Sequence, residues 1–453
     1  MSIYSVVQKS QLEGADRLDA QYYQPEYLEI MKTLVDLGIC KKLEDISKSL
    51  ESFGAYALTS NIVWRDEGIP FLEANNIKDG IISYEGVRYI DDNVDKILRK
   101  SKVSEGQVLL SMSGSVGNAA VASSVPAKLN SNQDIVKITT ESKISPYYLA
   151  AFLNSKYGKM QVLRLPVGSV QQHIFLWQTK SILVPVFSQE IQSQIEGLYK
   201  SSLKELENSA ACYEQAEDLL LGELELKDFQ IPEDLSYIVN YSDAEKVDRV
   251  DADYFQPKYD ELISKINNQN AKSLLEVVQN VPARFVPKPD ESYKYVELAN
   301  INSSVGVVDG YSEVLGKEAP SRARRLLKTG DVLVSSIQGS LGKTALVDTD
   351  QNGSLASTGF FQLRSSEILS EVLLVFAKSI ILQWQLEREC AGTILSAVPQ
   401  ESLKRLIIPI LPRSTQQKIA DLVKKSHEAR KKSKEQLDEA KRKVEEMIEK
   451  GGE

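Results

Sequence analysis

Two stretches of the chain carry apolar or small residues three or four positions apart, which is the pattern of a long amphipathic helix. We predict one such helix within residues 188–228 and another within residues 413–453. The later stripe consists of Ile419, Leu422, Ser426, Ala429, Ser433, Leu437, Ala440, Val444 and Met447. The earlier stripe is less regular and consists of Ile191, Ile195, Leu198, Ser202, Leu206, Ala210, Tyr213, Ala216 and Leu220.

Short β-branched runs separated by Gly, Asn and Ser precede each predicted long helix and indicate strands joined by turns. They include FLEANNI from Phe71 and QVLLSMSG from Gln107, and later YVELANI from Tyr295 and DVLVSSIQG from Asp331. A helical stretch follows in each half, SPYYLAAFLNSKYGKMQVL or LSEVLLVFAKSIILQWQLERE, and then a last strand near SILVPV or RLIIPI. The predicted fold class is α+β, with two mixed α and β heads.

The two halves of the chain repeat each other. The segment RLDAQYYQPEYLEIMKTL from Arg17 returns as RVDADYFQPKYDELISKI from Arg249. The turn GQVLLSMSGSVG from Gly106 returns with one inserted residue as GDVLVSSIQGSLG from Gly330. The strand-to-helix junction VPVFSQEIQSQI returns as IPILPRSTQQKI. Two repeats are too few for a solenoid, so we predict a pseudo-dimer within one chain, with internal pseudo-two-fold symmetry.

The repeat divides the chain into six predicted segments. These are the repeat-start segments 1–40 and 229–269, the heads 41–187 and 270–412, and the long helices 188–228 and 413–453. The first helix has a net charge of −7 and the second of +3. Opposite charges favour packing of the two helices on each other as an antiparallel coiled-coil spacer. The alternative, in which each helix lies on its own domain, stays open.

The net charge of −9 is concentrated outside the predicted heads. Residues 41–187 carry +3 and residues 270–412 are neutral, whereas residues 229–269 carry −5. Both heads place cations just before the strand that leads into the repeated turn: Lys96, Arg99, Lys100 and Lys102 in the first, and Arg322, Arg324, Arg325 and Lys328 in the second. Such clusters can neutralise DNA phosphates. The alternative is an ordinary solvated face.

Several classes of function lack their usual residues. The three cysteines, Cys40, Cys212 and Cys390, show no CxxC spacing, and His173 and His427 are the only histidines. A disulfide framework, a thiolate zinc site and histidine-based catalysis are therefore disfavoured. The sequence has no apolar run long enough to span a membrane and no secretory signal at the amino terminus. We expect a cytoplasmic protein with no membrane partner.

Nucleotide binding is disfavoured as well. The segment GSLGKT from Gly339 to Thr344 resembles the end of a phosphate-binding loop, but Ile337 stands where that loop needs glycine. The following residues, ALVDTD, predict a strand and not the helix that would face the phosphates. We also find no amino-methyltransferase motif and no glycine-rich cofactor loop. The sequence therefore predicts no catalytic residue, no metal site and no cofactor bound by this chain.

Over nearly its whole length the sequence resembles the specificity subunits of Type I restriction-modification enzymes. The resemblance rests on the twice-repeated order of the RLDAQYYQPEY and RVDADYFQPKY segments, the glycine turns, and the strand-to-helix junctions. It implies that each head is a target recognition domain. It also implies that the paired helices form a spacer that docks two modification subunits, which bind S-adenosylmethionine and methylate adenine. A translocating restriction subunit joins such complexes in some systems.

The resemblance further implies that the partner is double-stranded DNA with a bipartite site. Each head would contact one half-site, and the spacer length would set the unread gap. Because the heads differ in sequence, the half-sites should differ. The junction before the long helix often has Pro-x-x-Glu-Gln in the family. Here it is FSQEIQ and LPRSTQ, so the second copy lacks the Glu.

Polar residues near the repeated turns are the candidate base-reading residues, since Asn and Gln can pair with adenine and Lys with guanine. The first head contributes Asn75, Asn76, Ser113, Ser115 and Asn118, and the second Asn300, Asn302, Gln338, Ser340 and Lys343. A second candidate loop contributes Gln171, Gln172 and His173. The alternative is that these side chains make turn hydrogen bonds.

Two other functions remain open at this stage. One is a fused or stand-alone restriction or modification enzyme, which would need a cofactor or metal motif. The other is a non-DNA scaffold that joins protein partners through its paired helices. Salt-dependent binding to duplex DNA would separate the scaffold from a DNA-reading subunit.

Overall fold

The computed structural model describes residues 4–10, 12, 17–53, 62–166, 173–227, 229, 236–392 and 396–451. The chain forms two compact units: unit 1 comprises residues 1–205 and 431–453, and unit 2 comprises residues 206–430. Among the described residues, no helix is both long and apolar enough to cross a membrane.

Unit 1 contains nine strands and five complete helices in the part of the chain that is described. The strands are β1 (Cys40–Lys42), β2 (Ser47–Glu51), β3 (Ile69–Leu72), β4 (Arg88–Ile90), β5 (Val108–Ser111), β6 (Ala119–Val121), β7 (Asn130–Ser131), β8 (Ile135–Thr140) and β9 (Leu183–Pro185). The helices are α1 (Pro25–Asp36), α2 (Asp92–Ile97), α3 (Pro146–Asn154), α4 (Lys156–Arg164) and α5 (Leu176–Thr179).

The strands of unit 1 form three small sheets. One sheet has the order β2-β8-β5-β6 and is antiparallel throughout, and a second has the order β4-β3-β7. The third pairs β1 with β9, with Cys40 opposite Pro185, and so joins the beginning of the predicted head to its end. Strand β5 reads VLLS and is buried at every position because side chains pack on both of its faces.

Unit 2 repeats this arrangement with more strands. They are β10 (Ala271–Ser273), β11 (Gln279–Asn280), β12 (Ser292–Val296), β13 (Ile301–Asn302), β14 (Val307–Val308), β15 (Ser312–Leu315), β16 (Ala323–Leu326), β17 (Val332–Ser335), β18 (Thr344–Leu346), β19 (Leu355–Ser357), β20 (Phe360–Arg364) and β21 (Ile407–Pro409). The sheets have the orders β11-β20-β17-β18-β14-β13, β15-β12-β19-β16 and β10-β21. Strand β18 begins at Thr344, the last residue of GSLGKT, which confirms the strand predicted there.

Two long helices are shared between the units. Helix α6 spans Gln189–Glu223, and the last helix, α12, spans Arg413–Glu449. The other helices of unit 2 lie between them and are α7 (Tyr241–Val247), α8 (Pro257–Asn267), α9 (Leu274–Val277), α10 (Ser370–Lys378) and α11 (Ile380–Glu389).

The helical stretch predicted in each head is two helices and not one. Ser155 and Ser379 have extended backbones, and each caps the helix that follows, its hydroxyl accepting from Gly158 N at 3.4 Å or Ile381 N at 3.3 Å. Serine is a favoured N-cap because its oxygen satisfies a free N–H of the first turn. The apolar periodicity of the sequence continues across the break, so it predicted one helix in place of two.

The long helices contact each other within each unit. In unit 1, Gln436 donates to the Ser201 hydroxyl at 2.9 Å, and Lys432 pairs with Glu205 at 2.6 Å. In unit 2, the Ser426 hydroxyl donates to the Ser209 carbonyl at 2.7 Å. Ser209 is buried, whereas Ala210 is exposed, so the prediction that Ala210 belongs to the apolar stripe was wrong.

The same helices also contribute to the core of each unit. In unit 1, Ile195 and Tyr199 of α6 and Ala440 of α12 share one apolar cluster with strands and helices of the head. In unit 2, Ala216 of α6 and Val423 of α12 do the same. The helices therefore pack both on each other and on their heads, which combines the two alternatives left open by the sequence.

The repeated RxDAxY motif clamps the end of a helix in each unit. In unit 1, Arg17 donates to the main-chain oxygens of Leu165 and Pro166 at 2.8 and 3.2 Å, and Asp19 orients its guanidinium. Tyr22 lies between two guanidinium groups, with Arg17 at 4.6 Å and Arg164 at 3.8 Å from its ring centre. The clamp satisfies carbonyls that a helix end leaves free.

Unit 2 contains the same clamp at the equivalent positions. Arg249 donates to the main-chain oxygens of Arg388 and Cys390 at 3.2 and 3.0 Å, and Asp251 accepts from it. Tyr254 lies between Arg249 and Arg388, at 4.5 and 4.6 Å. The motif therefore holds the repeat-start segment on the head and fixes the point at which the chain leaves the helix.

Candidate nucleic-acid interface

The repeated glycine turn follows β5 in unit 1 and β17 in unit 2. Gly114, Gly117 and Gly339 have φ values of 61°, 82° and 78°, in the left-handed region that favours glycine. A Cβ on Gly114 would lie 2.9 Å from the Asn75 side-chain oxygen. The turn therefore packs closely against the loop that carries Asn75, and this candidate is exposed at the surface.

Asn118 and Lys343 close the turns in the same way. The Asn118 amide donates to the Ile77 carbonyl at 3.1 Å, and the Lys343 ammonium donates to the Ile301 carbonyl at 3.0 Å. The Asn118 oxygen accepts from Lys159. Both side chains tie the glycine turn to the preceding loop, as the alternative of turn hydrogen bonds predicted.

Asn76 and Asn300 are likewise engaged in local structure. Each ends a short 3₁₀ helix, at Ala74–Asn76 or Leu298–Asn300, and its side-chain oxygen accepts from the amide of Glu73 at 2.8 Å or Glu297 at 2.9 Å. Asn76 is buried and also donates to the Ser83 carbonyl. The Asn302 oxygen accepts from Ser304.

The remaining turn candidates differ in accessibility. Ser113 is buried, and Ser115 is half-buried. Ser340 donates to the Ile337 carbonyl at 3.1 Å. Gln338 is the residue inserted in the second copy, and it is exposed at the tip of its turn. Gln338 on the second turn and Asn75 on the loop beside the first turn are therefore the exposed amide side chains among the described candidates.

The two basic clusters are only partly at the surface. Arg99, Lys100, Arg322 and Lys328 are exposed. Lys102 is also exposed but pairs at 2.6 Å with Asp95, whose carboxylate is buried. Arg324 is half-buried and donates to the Ser321 carbonyl at 3.1 Å. Lys96 is exposed too, so five cations of the two clusters are accessible and have no ion pair inside the described structure.

Arg325 does not lie at the surface. It is 5% exposed, and its guanidinium donates to the Val281 carbonyl at 2.6 Å. Burial lowers the pKa of this guanidinium to about 10. The strand β16 alternates inward and outward positions, which turns Arg325 inward between its neighbours. The basic cluster of unit 2 therefore presents fewer charges than its sequence indicates.

His173 lies beside the glycine turn of unit 1, and its backbone pairs with Ser113. Its Nδ1 is 3.9 Å from an Asp134 carboxylate oxygen. Gln171 and Gln172 lie outside the described residues. In unit 2 the equivalent backbone pair is Ile337 with Ala397, so the same contact joins the loop to the turn in both units.

A cleft beside His173 contains residues that the sequence analysis missed. It has a volume of about 440 Å³ and includes Met112, Gln133, Phe175 and Trp177 in its walls. Trp177 is 69% exposed and Phe175 is 45% exposed. The signal that was available is the difference between the repeats: the first reads HIFLWQ where the second reads AVPQES.

Comparison with known proteins adds a family match in the second half of the chain. Residues 278–441 match the model of the Type I restriction modification DNA specificity domain. The chain is 24% identical over 155 residues to the Type I restriction enzyme HindI specificity subunit of Haemophilus influenzae. This match covers 33% of each protein, so it spans about a third of the length of that curated relative.

Solved structures to which the chain is similar include two S subunits. One, the S subunit of a Type I restriction-modification system from M. genitalium, is 12% identical, with a TM-score of 0.40 over 91% of this chain and 95% of that one. The other, the HsdS subunit from Thermoanaerobacter tengcongensis, is 14% identical, with a TM-score of 0.29 over 91% and 95%.

Residues 278–441 are therefore similar to the Type I restriction modification DNA specificity domain. The resemblance to specificity subunits of Type I restriction-modification enzymes, predicted from the repeated motifs, is confirmed.

Proposed function

We propose that this protein reads a bipartite DNA target and directs its methylation by two modification subunits that bind S-adenosylmethionine. The observation that carries the proposal is that both heads place a glycine turn at the same point of the repeat but carry different side chains there. The exposed Gln338 is inserted in unit 2 only, and Lys343 replaces Asn118. Different polar side chains at matching turns suit two heads that read different half-sites.

The exposed cations support the electrostatic part of this function. Arg99 and Lys100 in unit 1, and Arg322 and Lys328 in unit 2, occupy comparable places ahead of the turn strand. Phosphate contacts position a protein on DNA, and base contacts specify the sequence. The cations would therefore hold each head on its half-site while the turn reaches the bases.

The long helices are proposed to act as the spacer between the half-sites and as the docking site for the modification subunits. A helix of about 35 residues is roughly 52 Å long at 1.5 Å per residue. Half-sites one turn apart are separated by roughly 34 Å along the duplex. A rigid element of this length is sufficient to set the gap. Methyl transfer, and cleavage where a restriction subunit joins, are assigned to the partner subunits.

The proposal is tested by assembling the chain with its cognate modification subunits. Methylation of genomic DNA should occur at one bipartite motif, and binding should weaken steeply as salt is raised. Modification subunits without this chain should not show that motif. Methyl transfer or cleavage by the purified chain alone, with DNA, Mg²⁺ and S-adenosylmethionine, would instead identify an enzyme. Assembly that is indifferent to DNA would identify a scaffold.

A further inference from the structure

The cleft beside the glycine turn of unit 1 has the features of a small binding site. Its walls come from four places in the chain: Ser52 after β2, Met112 at the turn, Gln133 ahead of β8, and the segment His173–Lys180. The wall surface is mainly apolar. The Gln133 side-chain oxygen is buried there and has no hydrogen-bond partner among the residues that the structure describes. A buried acceptor without a partner is destabilising, so this oxygen favours a ligand that brings a donor.

The aromatic wall is held firmly although it is exposed. The Gln178 side chain accepts from the Phe175 amide at 2.8 Å and donates to the Leu165 carbonyl at 2.8 Å. The rings of His173 and Phe175 meet edge to face, with centres 5.1 Å apart. A tryptophan with most of its surface in water, on a segment anchored at both ends, is typical of a contact surface.

The shared fold does not require these aromatic residues. In unit 2 the positions of His173, Phe175 and Trp177 are occupied by Ala397, Pro399 and Glu401, yet the equivalent backbone pair is present and a short helical segment follows it in both units. The side chains therefore differ where the backbone is conserved between the repeats. That difference is expected at a site that determines what one head recognises and the other does not.

We propose that this cleft binds a nucleobase of the first half-site that has left the base stack. This inference rests on the proposed function. Bases stack on aromatic rings, and only an unstacked base has a free face to offer Trp177 and Phe175. The exocyclic amino group of adenine, cytosine or guanine supplies the donor for the Gln133 oxygen. Lys180, exposed at the rim, is placed for an adjacent phosphate.

The test uses the complex with both modification subunits and a DNA library randomised in each half-site. Trp177→Ala and Gln133→Leu should weaken binding to the cognate duplex on the order of 10- to 100-fold. They should also relax the base preference at one position of one half-site. Glu401→Ala, at the position equivalent to Trp177 in unit 2, is the matched control and should leave that position unchanged.

Unstacking is tested separately at the position so identified. Mismatching that base removes the cost of breaking its pair, so wild type should bind the mismatched duplex several-fold more tightly, and Trp177→Ala should lose this gain. Weaker binding to the mismatched duplex by wild type would overturn the inference, since it indicates reading of an intact pair. Unchanged preference in both variants would overturn it too, as would loss of subunit assembly without loss of DNA preference. Absence of any sequence preference in wild type would instead refute the proposed function.

Discussion

Arg249 and Asp251 form a two-pronged ion pair, with both nitrogen-to-oxygen distances at 2.8 Å. The pair turns the remaining face of the guanidinium toward the helix end at Arg388 and the ring of Tyr254. The hydrogen bond from Arg249 lowers the pKa of the Asp251 carboxyl. In the repeated motif, the aspartate two positions after the arginine thus fixes the orientation of the guanidinium group.

Loss of this arginine should destabilise unit 2. We expect Arg249→Ala to lower the free energy of unfolding by about 2–4 kcal/mol, because charge-assisted hydrogen bonds to two carbonyls are lost. Arg249→Lys should recover little of this, since an ammonium group cannot reproduce the planar fork. Urea unfolding measures both. The exposed Arg322→Ala is the control, with a change within about 0.5 kcal/mol. Equal stability of Arg249→Lys and wild type would contradict the clamp.

Lys137 should make the stability of unit 1 depend on pH. It is fully buried on β8, and burial lowers its pKa to about 8, whereas an unfolded lysine titrates near roughly 10.4. Between these values the unfolded chain holds the proton and the folded chain does not. Stability should therefore rise with pH from 8 to about 10.4, and the full penalty of about 3 kcal/mol is present below pH 8.

The variant Lys137→Met should remove this penalty. We expect it to be more stable than wild type at pH 7, with the difference shrinking as the pH approaches 10. Urea unfolding at pH 7 and pH 9.5 measures the difference. Lys100→Met, which alters an exposed lysine of the same unit, should give no such trend. A difference from wild type that does not vary with pH would show that Lys137 stays charged when buried.

Gly80 should be sensitive to substitution because helix α12 lies against it. Its φ is 88°, and an added Cβ would lie 3.0 Å from a Leu437 methyl group. Gly106 has a similar φ of 81°, and no atom of the described residues lies within 4 Å of the added Cβ, so Gly106→Ala measures the backbone strain alone. Gly80→Ala should lower the melting temperature more than Gly106→Ala. Leu437→Ala should then lower the melting temperature less in the Gly80→Ala variant than in wild type. An equal decrease in both would exclude this contact.

Gln338 should contribute to reading by unit 2. Gln338→Ala should relax the base preference at one position of one half-site and cost about 1–3 kcal/mol there. The preference in the other half-site should remain. Methylation of randomised DNA by the assembled complex measures both. Gln279→Ala changes another exposed glutamine of unit 2 and should have no effect. An unchanged base preference in Gln338→Ala would show that Gln338 does not read the DNA sequence.

The repeat allowed much of the fold to be predicted. The strand around Val108, its counterpart around Val332 and both long helices agree with their predicted places. The breaks between helices at Ser155 and Ser379 were not predicted, because a serine N-cap starts a new helix without interrupting the apolar period of the sequence. The clamp was not predicted either. Arg17 donates to main-chain oxygens about 150 positions away, and every residue type has such an oxygen, so the sequence does not identify the acceptor.

The candidate site was harder to predict. Asn76 and Asn300 have the residue type of a base reader, but their oxygens cap the local 3₁₀ turns. Arg325 has the charge of a phosphate contact, but it is on the inner face of its strand. Residue type alone does not distinguish a DNA contact from a hydrogen bond within the protein, because both require a polar side chain.

The order of pieces in the two units has an evolutionary meaning. Unit 2 runs from the end of one long helix through the repeat-start segment and head into the next long helix, and unit 1 has the same pieces in the same cyclic order. Tandem duplication of a gene segment of about half this length produces that order. A half-length ancestor that paired with itself would carry identical heads and recognise a palindrome. On the function proposed above, each head could diverge alone once fused, and an asymmetric target would become accessible by changing one turn at a time.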